Sequence, residues 1–212
     1  MITAIADFLN IILTYFYNIT GNYGVAIILL TLLTRIVTLP LTNKQMASAK
    51  AMQQLQPEIK KLQEKYKNDK EKLNQETMAL WKKHKVNPAA GCLPLLVQFP
   101  FLIAIFQLLQ DQERLTAAGI INTQFIFLDM TLPDPFYILP VLAGATTYLQ
   151  QKQMMTDKSQ QAMLIVMPIM LFVFSIRFQA GLVLYWVVGN LLSIGHHYLL
   201  SRPVAKGAVK GE

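Results

Sequence analysis

Apolar residues dominate five windows of this chain, at about 24–42, 93–109, 136–150, 162–176 and 182–200, with polar segments between them. At helical rise the first window is ~28 Å long, close to the ~30 Å of a bilayer's hydrocarbon core. The pattern predicts five membrane-spanning helices, with the third and fourth short. Pro40, Pro94, Pro100, Pro140 and Pro168 fall in or beside the windows. Membrane helices tolerate proline better than soluble ones do, though a break of the second window at Pro94 and Pro100 is expected. Residues 2–17 are also apolar but end in Tyr15, Phe16 and Tyr17. They predict a helix lying in the membrane surface, or a partial span, ahead of a break at TGNYG, residues 20–24.

The long polar segment, 43–85, has a helical period of its own. Met46, Ala49, Met52, Leu55, Ile59, Leu62 and Tyr66 step by three or four, and KND at 67–69 reads as a turn. Leu73, Leu80 and Trp81 form a weaker second stripe. This predicts an antiparallel helical hairpin, its first arm kinked at Pro57.

Charge sets the expected orientation. Residues 43–85 hold 11 lysines of the chain's 19 basic residues, against five acids. The 111–135 segment holds Arg114 and four acids. Lys152 and Lys158 lie between the third and fourth windows, and Arg202, Lys206 and Lys210 follow the fifth. The basic segments alternate so as to share the cytoplasmic side, which places the N-terminus outside and the C-terminus inside; Arg177 is a minor exception. The expected organisation is an interfacial helix at 1–22, spans at 23–42, 87–110, 136–152, 161–177 and 181–200, a cytoplasmic hairpin at 43–86, an extracytoplasmic loop at 111–135, a short cytoplasmic loop at 153–160 and a basic tail at 201–212. The hairpin's charge reads equally as a solvated face or as contact with anionic headgroups or a partner protein.

One residue conflicts with this apolar pattern. Arg35 lies ~16 Å from the outer end of the first window and ~11 Å from the inner end by helical rise. A charge at that depth costs anything from about 2.5 to 17 kcal/mol, depending on how it is solvated. The acids all lie outside the windows. Thr31, Arg35, Thr38 and Thr42 fall within a ~60° sector of one helix. Trp186, Asn190, Ser193 and His197 repeat the spacing in the fifth window; Thr146, Gln150 and Gln153 do so in the third; Gln98 belongs to the second. For threonines alone, helix–helix contact is the favoured account. With an unpaired arginine in the stripe, a hydrated groove is favoured, lined by Arg35, Thr31, Thr38, Gln98, Gln150, Trp186 and Asn190; Trp186 reads first as packing, with a cation–π contact to Arg35 as the alternative. A positive charge in such a groove draws in acidic polypeptide.

Composition removes other classes. With 53% hydrophobic and 15% charged residues, the chain is too apolar for a soluble domain. The one cysteine, Cys92, excludes a disulfide within the chain. The first basic residue is Arg35, so the start is not that of an ordinary secretory signal, although a truncated N-terminus fits equally well. His84, His196, His197 and Cys92 lack metal-ligand spacing, and no glycine-rich phosphate loop occurs, so no cofactor is expected. Ser193 with His196 or His197 is a weak intramembrane-protease candidate with no oxyanion-hole motif beside it. A small transporter or channel with an arginine-lined cavity is the main alternative, but the spans show no inverted repeat. Met154, Met155, Met163, Met167 and Met170 read as packing, or as a surface that adapts to varied apolar helices.

LLTRIVTLPLTNKQMASAKAMQQLQPEIKKLQEKYKNDKEKLNQE resembles the first span and hairpin of YidC-type membrane protein insertases (the YidC/Oxa/Alb family). NPAAGCLPLLVQFPFLIAIF resembles their second span and GLVLYWVVGNLLSI their last. The resemblance covers about residues 20–200. It implies an all-α membrane protein of five helices around a positively charged groove open to the cytoplasm and to lipid. It also implies that Arg35 receives the acidic part of a nascent membrane protein while the apolar part slides into the bilayer. The implied setting is the bacterial plasma (inner) membrane and the implied role is non-enzymatic. The implied partners are nascent membrane proteins, the Sec translocon, phospholipid, the ribosome and the signal recognition particle receptor, with no nucleic acid. The family's large periplasmic domain and lipoprotein cysteine are not found in this sequence.

Overall fold

A computed structural model describes residues 2–84, 93–154 and 161–201. In chain order the described elements are α1 (Ile2–Thr20), α2 (Tyr23–Lys65), α3 (Lys70–Lys83), α4 (Leu93–Gln110), α5 (Gln112–Ala117), β1 (Gln124–Phe125), β2 (Leu128–Asp129), α6 (Ile138–Met154), α7 (Gln161–Ser175) and α8 (Ala180–Ser201). The chain is thus mostly helical. Cys92, the 155–160 segment and the basic tail from 202 lie outside the described residues.

No break in the helix marks the expected boundary between first span and hairpin at residue 43, and one continuous helix crosses it. Helix α2 runs for 43 residues with Pro40 and Pro57 inside it. Residues 43–56 hold mostly good helix formers and neither Gly nor Pro, which offsets the loss of a bond or two at each proline. Likewise α4 continues through Pro100, and Pro94 sits in its first turn, where a missing N–H costs nothing. The turn between α1 and α2 is made by Gly21 at φ +65, with the Asn22 side chain accepting from the Val25 N–H at 3.1 Å. Asp69 caps α3 in the same way, through Lys72 N–H at 3.0 Å.

α1 lies against α2 and α4, α2 against α8, α8 against α6, and α6 against α7. The core gathers Leu9 and Leu13 of α1, Ile27 and Leu30 of α2, Ile105 and Leu108 of α4, and Val183 and Val187 of α8. The hairpin is thin by comparison: Leu55 and Ile59 of α2 are buried, but no α3 residue is. Residues 111–137 cross the end of the bundle where α2 and α8 begin. Leu132 and Met130 carbonyls accept from the first N–H groups of α8, Ala180 at 2.8 Å and Gly181 at 2.9 Å. Both halves of α1 are tied to this segment, Asp7 by an ion pair with Arg114 and the Tyr17 hydroxyl by the Ile121 and Asn122 N–H groups.

The outward faces are apolar too. Ile36 and Val37 of α2, Val141 and Leu142 of α6, and Ile165, Val166, Ile169 and Val173 of α7 are all exposed. Among the described residues, α2 is the one helix that is long and apolar enough to cross a membrane by length and composition, and Ala162–Ser175 is a shorter apolar one.

Candidate functional site

Helices α2 and α8 run parallel and in register. Gly181 approaches Ile27, and eight residues further along both helices Gly189 lies against Arg35. A Cβ at position 189 would meet Arg35 Nη2 at 2.7 Å. Glycine therefore gives the guanidinium its seat, by the close approach that small residues permit between membrane helices.

From this seat a cleft of about 330 Å³ runs between the two helices toward their C-terminal ends. Its walls are Leu32, Ile36 and Leu39 on one side and Leu191, Leu192 and Leu199 on the other. Thr42 and His196, each seven residues beyond the Arg35–Gly189 contact, line its far part with Ser193. Arg35 is the one charged residue of this lining, and it is half-buried. Among the described residues the ion pairs are Lys72–Asp69, His84–Glu58 and Arg114 with Asp7 and Asp111, and none includes Arg35.

The other polar residues behave differently from the sequence expectation. The threonines of α2 satisfy themselves: Thr31 donates to Ile27 O at 2.7 Å, Thr38 to Thr34 O at 2.9 Å and Thr42 to Thr38 O at 3.0 Å. Thr31 is fully buried and Thr38 is not among the cleft's lining residues. Trp186 and Asn190 turn toward α6, not Arg35. Asn190 Nδ2 donates to Thr146 at 3.1 Å and Thr147 at 2.9 Å, and Trp186 Nε1 donates to Thr147 at 3.0 Å. These bonds join α8 to α6. Gln150 is half-buried on α6, a turn beyond Thr146. Gln98 belongs to α4, but its side chain lies outside the described set. Ser193 donates to Gly189 O at 2.9 Å, which directs its proton away from a base. Among the described residues no group of His, Cys, Asp or Glu is placed to hold a metal.

A second cleft, of about 290 Å³, was not foreseen from the sequence. Phe99, Leu102, Ile103 and Phe106 of α4 face Leu171 of α7, with Leu182, Val183 and Trp186 of α8 behind. Ser175 also borders it, with its hydroxyl donated to Phe172 O. Nothing in α4 or α7 taken alone signals this cleft, since both are predominantly apolar with little contrast between their faces.

The family model described as 60Kd inner membrane protein matches residues 15–207. The chain is 47% identical over 208 residues to membrane protein insertase MisCA of Bacillus subtilis, covering 93% of this chain and 78% of that protein. It is 45% identical to membrane protein insertase YidC of Fusobacterium nucleatum, covering 95% of this chain and 96% of the other. Against YidC of Lawsonia intracellularis identity is 47%, covering 95% of this chain but 39% of that protein. A crystal structure of an active YidC insertase with its first transmembrane domain resolved is similar in fold, with a TM-score of 0.74 and 25% identity. That likeness covers 92% of this chain and 46% of the solved one.

Proposed function

Because this chain belongs to the 60Kd inner membrane protein family of membrane protein insertases, we propose that it inserts nascent membrane proteins through the Arg35 cleft. The acidic or hydrophilic segment of a client enters between α2 and α8 and pairs with Arg35. The apolar segment leaves along the lipid-facing side, past the cleft between α4 and α7, into the bilayer. In this reading α2 to residue 42, α4, α6, α7 and α8 are the five spans. Residues 111–137 are extracytoplasmic, with α1 in the membrane surface beside them. The distal part of α2 and α3 form the cytoplasmic hairpin, which meets clients and anionic lipid or a partner protein, while the basic tail from 201 meets the ribosome; the signal recognition particle receptor is a further partner. The Sec translocon is a partner for larger clients.

The observation that carries this is a half-buried guanidinium at the inner end of a cleft, in no ion pair with an acid among the described residues. Apolar walls lower the local dielectric and so strengthen its attraction for a carboxylate. The cleft is more apolar than the polar stripes suggest, which concentrates the electrostatic role on Arg35. The test is insertion of a single-span protein with an acidic N-terminal tail into liposomes holding wild type, Arg35→Ala or Arg35→Lys. Loss with Ala and substantial retention with Lys is the expected result. Full insertion by Arg35→Ala refutes the assignment and moves the client contact to the hairpin.

A further inference from the structure

The segment between α5 and α6 carries a feature that insertion does not explain. Its two strands pair Gln124 with Asp129 and Phe125 with Leu128, leaving Ile126 and Phe127 as a two-residue turn. Ile126 has φ 59. Positive φ at the first position of such a turn is where hairpins usually carry glycine, and a β-branched residue there is an outlier. The strained side chain is not compensated by burial: Ile126 is 80% exposed and Phe127 54%. Phe127 stacks edge-on against Phe136, itself 62% exposed, at 5.7 Å between centroids. An exposed Tyr137, also at positive φ, follows.

The base of this hairpin is held firmly. Phe125 fills the space over Gly24, where a Cβ would lie 2.2 Å from its ring. Asn22 Nδ2 donates to Gln124 O at 3.1 Å, and Asn122 Nδ2 to Gly21 O at 3.3 Å. The tip is therefore fixed relative to the first turn of α2.

The surface it presents carries little charge. Residues 115–137 hold no Lys or Arg. Their two carboxylates are engaged by the segment itself: Asp129 accepts from Thr131 N–H and Oγ, and buried Asp134 accepts from the Phe136 and Leu139 N–H groups. The apolar patch then continues without interruption from Phe136 and Tyr137 into Ile138, Val141 and Leu142, the exposed face of α6.

We propose that the Ile126–Phe127 tip, with Phe136 and Tyr137, is a lipid-binding anchor seated at the headgroup–acyl boundary of the outer leaflet. Continuity with the lipid-facing side of α6 selects lipid as the occupant. Aromatic and aliphatic side chains without exposed charge suit that boundary. Because the base is locked to Gly21–Gly24, the anchor sets the depth of α2, and with it of Arg35, which lies ~18 Å further along the helix. The proposal rests on the membrane reading of α6 and α7.

The test uses the full chain in phosphatidylcholine–phosphatidylglycerol vesicles, with Cys92→Ala and a single new cysteine labelled with an environment-sensitive fluorophore. Ile126→Cys and Phe127→Cys report on the tip, and Val173→Cys, exposed on α7, reports on the membrane reading itself. The expected result is blue-shifted emission at 126 and 127, quenching by lipids brominated near the headgroup end of the acyl chains, and loss of quenching by aqueous iodide. Iodide quenching without lipid quenching puts the tip in water and overturns the proposal. Protection from both quenchers puts the tip against protein and overturns it equally. Failure at Val173 as well sinks the membrane reading, whereas failure at the tip alone sinks only the anchor.

Discussion

Gly189 offers the sharpest check on where Arg35 sits. A methyl at this position would stand 2.7 Å from Nη2, where ordinary contact begins at 3.4 Å, so the nitrogen must retreat by about 0.7 Å. Nε at 3.4 Å and Cζ at 3.5 Å need not move. Bending one side chain off its rotamer costs about 0.5–1.5 kcal/mol. Replacing a mid-helix glycine by alanine returns about 1 kcal/mol. Gly189→Ala should therefore leave thermal stability almost unchanged and shift only the guanidinium. In an Arg35→Ala background the obstacle is gone, and the same substitution should stabilise by about 1 kcal/mol. The double-mutant cycle should thus show a coupling of about 0.5–1.5 kcal/mol between the two sites. Gly189→Leu fills the seat and should lower insertion of an acidic-tailed client toward the level of Arg35→Ala. Thermal unfolding in detergent and insertion in proteoliposomes read the two effects. Wild-type insertion by Gly189→Leu together with zero coupling would refute the placement.

Three further outcomes follow from the bonds and contacts described. Asn190→Ala removes the donor shared by Thr146 and Thr147 and should cost about 1 kcal/mol of thermal stability in detergent; Thr147→Val, which also strands the Trp186 N–H, should cost no less. Gly24→Ala should expel the Phe125 ring and expose the 121–131 loop to protease, and pairing it with Phe125→Ala should relieve the clash without restoring the anchor's fixed base. Burial pushes the Asp129 carboxyl up, but hydrogen bonds from Thr131 and Thr123 outweigh it and hold the carboxyl below its usual range. A depressed folded pKa contributes stability above the ordinary carboxylate value of ~3.9 that is lost as pH falls through the folded pKa. Protection of the Thr131 amide, taken relative to the intrinsic exchange rate at each pH, should accordingly fall in acid for wild type, and Asp129→Asn should abolish that dependence.

Much of the architecture was legible because a membrane constrains sequence so strongly. Arg35 stands out because a charge inside an apolar window has few explanations, and the hairpin stripe because the residues between its members are mostly polar or charged. The polar partners were harder to read. Trp186 and Asn190 share a spacing with the stripe of α2, yet they bond to α6. Helical periodicity tells which residues share a face but not which neighbour that face meets. The apolar cleft between α4 and α7 was hidden for a related reason: when lipid and protein interior are equally apolar, composition carries no mark of which side is buried.

The sequence by itself determined the helical windows, the basic hairpin, the loop charges and the solitary arginine, since each is a local consequence of hydropathy, period or charge. Only the tertiary structure decided that α2 passes unbroken through Pro40 and Pro57, and that Arg35 rests on Gly189 in a mostly apolar cleft. It alone joined Trp186 and Asn190 to Thr147, and held Ile126 at the tip of a fixed hairpin. Most of these depend on helix rotation and on contacts between residues distant in sequence, from 39 positions for Trp186 and Thr147 to over a hundred for Asn22 and Gln124. In a bilayer such contacts are chosen by close packing and a few polar bonds, because apolar burial favours no one partner over the lipid.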